Sequence, residues 1–285
     1  MAVLLKGLDV VNSLIIQMTN EITRLKDEGI NPGLAIVRLG SNPDDLSYER
    51  NVIKKCEKLG VDCKVYNYEE SISNDYLIDE LTKINDDTLI NGILLFRPLP
   101  KQIDESLVKK ILNPVKDIDC LTSVNIAKVF EGDESGYYPC TAESVMEILD
   151  FYNINPEGKK VVIVGRSMVV GKPLAMMMLK RNATVTVCHS KTHNLKETCK
   201  NAEIIVAALG KAKFITSDYI SPGSTVIDVG INVDSNGNLC GDVDFDDVQK
   251  IASYITPVPG GVGTVTATVL IKNVIKATKV KNNFY

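Results

Sequence analysis

Nowhere in this chain do two cysteines stand as Cys-x-x-Cys. The seven cysteines, at positions 56, 63, 120, 140, 188, 199 and 240, are odd in number and widely scattered. That excludes a disulfide framework and points to reduced, mostly buried thiols. Long hydrophobic runs are missing too. The richest apolar stretches, Val161–Val164 and Leu174–Leu179, fall far short of the roughly 18–20 residues a membrane span needs. The opening residues carry an apolar triplet but no basic flank leading into a longer apolar stretch, so no secretory signal is read, and the expected location is the cytoplasm, without a membrane. There is no excess of positive charge: 32 Lys+Arg stand against 36 Asp+Glu, a net charge of −4. Without a basic stripe, nucleic acid is not an expected partner. The one lysine series, Lys272, Lys276, Lys279 and Lys281, has helical spacing and reads as the solvated face of a last helix. Histidine occurs only as His189 and His193. That pair near Cys188 has neither a general-base glutamate nor a third ligand at useful spacing, so no metal is expected. His189 reads instead as a loop residue bordering a cofactor.

At 285 residues, with 45% apolar and 24% charged, the chain is long enough for two globular domains. Leu14, Met18, Ile22 and Leu25 mark one face of an opening helix that stops near Gly29, before Pro32. Strands at Leu34–Leu39, Val61–Tyr66 and Ile90–Phe96 then alternate with helices at Asp44–Leu59, Tyr76–Ile84 and Ile103–Leu112. Strands separated by helices require crossovers, and hence a largely parallel sheet. A second unit begins near Pro139 with a helix that Thr141 could cap. It continues with strands at Val161–Val164, Thr184–Cys188, Ile204–Leu209, Val226–Val229 and Tyr254–Ile255, and with a helix at Pro173–Lys180. The acidic run Asp242–Asp247 reads as a solvated loop, and Val265–Lys276 as the C-terminal helix. The fold class is α/β, with two α/β domains, the second a Rossmann-like parallel sheet.

Between Val164 and the following helix runs Gly165-Arg166-Ser167-Met168-Val169-Val170-Gly171-Lys172-Pro173, with Pro173 read at the first helical position. A strand, a glycine-bounded turn and a helix N-terminus form a place where a phosphate can bind. This is not Gly-x-Gly-x-x-Gly, and an ordinary βα turn explains the pattern equally well. The next strand adds information. NAD-binding versions of such folds place a carboxylate about 20 residues after the turn, to hold the ribose 2′-hydroxyl. Here His189-Ser190-Lys191 follows the strand instead. Arg166 can grip a 2′-phosphate and Ser190 can donate to it, which favours NADP.

Several segments together resemble the methylenetetrahydrofolate dehydrogenase/cyclohydrolase family. They are Val164-Gly165-Arg166-Ser167 with Val170-Gly171-Lys172-Pro173, Cys188-His189-Ser190, Val226-Ile227-Asp228-Val229-Gly230-Ile231-Asn232 and, most specific, Ile255-Thr256-Pro257-Val258-Pro259-Gly260-Gly261-Val262-Gly263. Gly92-Ile93-Leu94, Pro98-Leu99-Pro100 and Lys116-Asp117-Ile118-Asp119 complete the match in the first half. The resemblance spans essentially the whole chain. It implies a folate-binding catalytic domain, residues 1–138 completed by the C-terminal helix 265–285. It also implies an NADP-binding domain at 139–264, an active-site cleft between the two, and a homodimer. By position it assigns Gly165, Arg166, Ser167, Ser190 and Ile231 to NADP, and Tyr48, Asp119, Pro257 and Gly261 to the folate, with Tyr48 and Asp119 counted as catalytic. The implied reaction oxidises 5,10-methylenetetrahydrofolate to the methenyl form with hydride transfer to NADP+. In many members, hydrolysis to 10-formyltetrahydrofolate follows. Asp119 suits a pterin, because one carboxylate can accept from a ring N–H and an exocyclic amino group together; a helix cap or turn role explains an aspartate there as well. Tyr48 offers a flat face with a polar tip, or plain packing on its helix.

Some positions depart from the family pattern. The lysine the family carries four residues after the tyrosine is Val52 here, its glutamine partner is Phe96, and Arg97 replaces an apolar neighbour. Cys120 stands for a glycine, Ala142 for a usual proline, and Thr264-Val265 for Pro-Met. Hydride transfer needs mainly orientation at near-attack distance, about 3–3.5 Å, whereas hydrolysis needs an activated water. Val52 and Phe96 move no proton, so the dehydrogenase is expected to persist and the cyclohydrolase to be weak or absent. Lys55, two turns along the helix from Tyr48, could reach back or could be a solubilising charge. Three other readings stay open: a fully bifunctional enzyme, a folate- or nucleotide-binding protein without catalysis, and a dehydrogenase for another planar substrate.

Overall fold

Alternating helices and strands fill the computed structural model, which describes residues 2–284. In chain order they are β1 (Val3–Leu4), α1 (Gly7–Asp27), β2 (Gly33–Leu39), α2 (Pro43–Leu59), β3 (Asp62–Tyr68), α3 (Asn74–Asp86), β4 (Gly92–Leu95), α4 (Glu105–Ile111), α5 (Ser123–Glu131) and α6 (Cys140–Phe151). The second half holds β5 (Lys160–Val164), α7 (Gly171–Lys180), β6 (Thr184–Cys188), α8 (Leu195–Lys200), β7 (Ile204–Ala207), β8 (Thr225–Asp228), β9 (Asn232–Val233), β10 (Leu239–Cys240), α9 (Phe245–Val248), β11 (Tyr254–Ile255) and α10 (Val262–Lys281). The chain divides into two compact units. One comprises Met1–Asn12 and Thr141–Thr266, the other Ser13–Cys140 and Ala267–Tyr285.

The unit built from Ser13–Cys140 and the last helix centres on a three-stranded parallel sheet in the order β3-β2-β4. From Gly33 to Arg38, β2 is buried throughout, as a central strand covered on both faces must be. Its side chains pack with Leu77, Leu81, Ile93, Leu95, Val108 and Leu112 in one apolar cluster. Local chemistry sets the ends of α2. The Asn42 side chain accepts from Asp44 N–H, Pro43 takes the first position, and Gly60 at φ 73° closes the helix in the left-handed conformation. Those limits put Tyr48 and Val52 one turn apart on the same face.

The other unit is a six-stranded parallel sheet in the order β1-β11-β8-β7-β5-β6, with β9 and β10 forming a separate antiparallel pair. Its core includes Val162, Val164, Ile205, Ala207, Val226 and Ile255. From β5 the chain goes first to β6 on one side, then crosses to β7 on the other. The order therefore reverses at the carboxyl ends of β5 and β7, the place where open parallel sheets leave a crevice for ligands.

Four expectations need correction. Residues 2–12 belong with the six-stranded unit, not with the first domain: Val3 and Leu4 pair with Tyr254 and Ile255 and cover the edge of β11. Thr141 is the second residue of α6, not its cap. Pro173 is the third residue of α7, whose cap position is Val170; a proline still fits there, since the N–H groups of a first turn have no helical acceptor. The lysines of α10 are not a bare solvated face. Lys276 Nζ donates to the Glu134 and Gly136 carbonyls, Lys281 Nζ to that of Thr88, and Lys279 Nζ lies 3.5 Å from a Glu21 oxygen.

Candidate functional site

In the six-stranded unit the turn after β5 is shaped by close backbone packing. Gly165 has φ 139°, and a Cβ there would lie 2.2 Å from the Ala208 carbonyl oxygen. A side chain is excluded by both conformation and space. Gly165 N–H donates to Cys188 O and Ala208 N–H to Val164 O, so the turn sits at the reversal between β5 and β7, with the end of β6 alongside. A Cβ on Gly171 would fall 2.1 Å from Gly165 O, which holds the N-terminus of α7 against the turn. No side chain caps that helix. Ser167 Oγ accepts from Val170 N–H, while Arg166, Ser167 and Ser190 are exposed. His189 Nδ1 accepts from Lys191 N–H, so the ring helps fix the bend after β6. A positive helix end, a glycine-only turn and an exposed guanidinium beside an exposed hydroxyl, with no carboxylate among Cys188-His189-Ser190-Lys191, suit a phosphorylated dinucleotide.

The next loops are held by two aspartates. Asp242, read from sequence as part of a solvated loop, is fully buried. It accepts from the N–H groups of Leu209, Gly210 and Lys211 and from Asn232 Nδ2. Asp228, 3% exposed, accepts from Gly230, Asp242 and Val243 N–H at 2.9–3.0 Å. Glycine at 230 and 241 is required by this packing, since a Cβ would lie 2.3 Å and 1.8 Å from these carboxyl groups. Burial pushes the Asp228 carboxyl up to about 6 against the pull of its backbone donors. The pair fixes the segments on either side of Ile231, whose own side chain is 66% exposed. Nothing in an acidic run predicts such a role; the donors are brought by the fold.

Pro257 and Gly261 lie in the same unit. Gly261 is buried, and a Cβ there would meet Pro257 O at 2.5 Å, so the turn itself demands glycine. Gly7 N–H donates to Gly260 O at 2.8 Å, tying the turn to the start of α1. Pro257 is half-buried.

Tyr48 and Asp119 lie in the three-stranded unit. The Tyr48 ring meets Phe96 edge to face, with centroids 6.0 Å apart at 90°. Val52, one turn on, has no exposed surface. Phe96 N–H donates to Val37 O, continuing the β4 ladder by one residue and aiming its ring. The position expected to hold a cation and its amide partner is therefore packed hydrocarbon. Lys55, the candidate rescue, donates from Nζ to Thr268 Oγ1 on α10 at 2.9 Å, and burial lowers its ammonium from the ordinary range.

Within Lys116-Asp117-Ile118-Asp119 the residues divide by role. Lys116 Nζ donates to the Ile84, Asn85 and Asp87 carbonyls, closing the end of α3. Asp117 accepts from Leu121 N–H, Thr122 N–H and hydroxyl, and Asn125 Nδ2. Asp119 is bound more loosely. Its Oδ1 accepts from Cys140 N–H at 2.9 Å, and Oδ2 lies 3.7 Å from Arg97 NH2. Burial pushes this carboxyl above its ordinary value, against Cys140 and Arg97. Cys120 takes φ 58°, a conformation that explains a glycine at this position in the family pattern. Burial and the two aspartates raise its thiol far above neutrality, so it is no reactive thiolate. The Arg97 pairing escaped the sequence reading, which treated that residue only as a replaced apolar neighbour.

Among the described residues, no group of three or more His, Cys, Asp or Glu side chains is arranged to hold a metal, and no helix is long and apolar enough to cross a membrane.

Comparison with known proteins gives two family matches. Residues 5–119 match the tetrahydrofolate dehydrogenase/cyclohydrolase catalytic domain, and residues 139–282 match the NAD(P)-binding domain of the same family. The bifunctional protein FolD of Clostridioides difficile is 49% identical over 280 residues, covering 98% of each chain. The crystal structure of the bifunctional FolD methylenetetrahydrofolate dehydrogenase/cyclohydrolase of Campylobacter jejuni superposes with a TM-score of 0.96 at 38% identity, covering 99% of this chain and 100% of that one. The Trypanosoma brucei methylenetetrahydrofolate dehydrogenase-cyclohydrolase, solved with NADP cofactor and an inhibitor, gives a TM-score of 0.93 at 33% identity, over 99% and 98% of the two chains.

Proposed function

The chain belongs to the tetrahydrofolate dehydrogenase/cyclohydrolase family, and on that premise we propose that it oxidises 5,10-methylenetetrahydrofolate to the 5,10-methenyl form with NADP+, as a homodimer, and hydrolyses the product weakly or not at all. Bound NADP+ supplies the hydride acceptor. Gly165, by lacking a side chain, lets the turn and the end of α7 present backbone N–H groups to the pyrophosphate. Arg166 and Ser190 would hold the 2′-phosphate, Ser167 supports the turn by accepting from Val170 N–H, and Ile231 would line the NADP. For the folate, Asp119 accepts from adjacent pterin N–H donors, Tyr48 stacks its ring, and the Pro257–Gly261 backbone borders the ligand.

The reading of the second step rests on one observation. Val52, without exposed surface, and Phe96, edge-on to Tyr48, stand where a proton-moving pair is expected. Oxidation requires only that the methylene carbon be aimed at the nicotinamide. Attack of water on the methenyl cation requires a group that takes a proton, and neither side chain has one. Lys55 is engaged with Thr268. The relatives are named bifunctional, so hydrolysis is the step to measure directly. Purified protein supplied with methylenetetrahydrofolate and NADP+ is expected to accumulate the methenyl product, followed by its absorbance, with decay at the rate of buffer alone. A Val52→Lys, Phe96→Gln double variant is expected to gain hydrolysis. Rapid onward conversion by the unaltered protein overturns the reading of the second step and leaves the first intact; binding of both ligands without turnover overturns the first.

A further inference from the structure

We propose that Arg97 is a positioning residue for the folate, one that acts by holding the Asp119 carboxylate charged and oriented; the proposal rests on the reading of Asp119 as the pterin acceptor. Asp119 is faced by few groups. Cys140, at the start of α6, donates its N–H to Oδ1 and its thiol to the same carboxyl, Asp117 and Cys120 flank it on its own segment, and Arg97 approaches from the segment after β4. Of these, Arg97 alone carries positive charge. Asp117 adds a like charge, and its oxygens are already engaged by Leu121, Thr122 and Asn125.

A carboxyl group in that position would tend to keep its proton, because burial and a neighbouring carboxylate both oppose ionisation. A protonated acid has lost one of its two acceptor oxygens, so it can no longer take two adjacent N–H donors from a flat heterocycle. The guanidinium counters this. Its spacing also matters. At 3.7 Å it is near enough to favour the charged form but beyond hydrogen-bond distance, so Oδ2 keeps its acceptor sites for a ligand. Both side chains are about a quarter exposed, 24% and 26%, so the carboxylate is open to a ligand from solution. An apolar residue at 97 leaves Asp119 with the Cys140 N–H and thiol, and with no positive charge.

Initial rates with methylenetetrahydrofolate, NADP+ and Arg97→Leu, Arg97→Lys and Asp119→Asn test this across pH 5.5–8. In Arg97→Leu the KM for the folate is expected to rise about tenfold, with kcat and the KM for NADP+ within about twofold, the pattern of lost ground-state binding. The acid limb of kcat/KM is expected to move up by about 1–2 pH, since a nearby arginine holds a carboxyl down by roughly that amount. Arg97→Lys keeps the charge and is expected to return the limb most of the way. If Arg97→Leu leaves both the KM and the limb in place, or if Arg97→Lys shifts the limb as far as Arg97→Leu does, the proposal is wrong. Asp119→Asn separates the two levels. A large loss in kcat/KM there with a harmless Arg97→Leu removes only the role of Arg97, whereas normal folate binding by Asp119→Asn removes the acceptor reading and the proposal with it.

Discussion

Two aspartates in this molecule, one fully buried and the other about a quarter exposed, are treated in opposite ways. Asp242, in the six-stranded unit, has four N–H donors around it and no cation within its network. Asp119, in the three-stranded unit, has the N–H and thiol of Cys140 and a guanidinium at a distance. A carboxylate with its lone pairs filled by backbone is part of the architecture and has nothing left for a ligand. One that is left partly unfilled, and kept charged by a neighbour, can receive a ligand. The contrast separates structural aspartates from binding ones on hydrogen-bond inventory together with exposure.

The largest effect should come from Asp242→Ala. It leaves three backbone N–H groups without their acceptor, and at roughly 1–3 kcal/mol for each buried unsatisfied group the loss should reach about 3–5 kcal/mol. Thermal unfolding should then fall by roughly 10 °C, given about 2–4 °C per kcal/mol for domains of this size. Asp119→Asn should cost less than about 1 kcal/mol in the same measurement, since it removes little more than one net hydrogen bond. Equal losses in the two variants would dissolve the contrast.

A smaller effect concerns acid. Asp228 is raised in the folded state to about 6, from an ordinary value of 3.8. Between those values the folded chain keeps a proton that the unfolded chain has released, so stability must fall as pH rises from about 4 to about 6. The slope approaches 1.4 kcal/mol per pH unit for a single group. The stability difference between the unaltered protein and Asp228→Asn, followed by urea unfolding across that range, should fall with that slope. Smallest of all, Lys55→Met should cost about 1 kcal/mol or less by loss of the Thr268 contact, with no change in the rate at which the methenyl product disappears. A faster or slower disappearance would show that Lys55 takes part in hydrolysis.

Much of the fold was legible because apolar spacing carries it. The limits of β6 and β11 match those read from sequence; β2, α2 and β5 start one residue earlier and end where read, and α3 is two residues longer at each end. The elements that were not read are short or lack an apolar stripe, α8 and α9 among them at six and four residues. β1, β9 and β10 have two residues each, too few for alternation to register, and α5 buries only Asn125 and Val129, so no apolar stripe announces it. In the candidate site, residue identity was readable and partnership was not. Val52 and Phe96 stand out in a string of letters because the family pattern differs there. The Arg97–Asp119 approach, the engagement of Lys55 by Thr268 and the burial of Asp242 each join residues distant in sequence, which only the folded chain brings together.

The pairing of Val3 with Tyr254 also governs assembly of the protein. One edge strand of the larger sheet, β1, is made before the sheet's other strands, and its neighbour β11 follows some 250 residues later, on the order of 10–50 s at translation rates of about 5–20 residues per second. That edge of the sheet stays unpaired until residues 254–255 have emerged. A bulky fusion placed immediately before Val3 would therefore disturb a sheet whose remaining strands lie at residues 160–255.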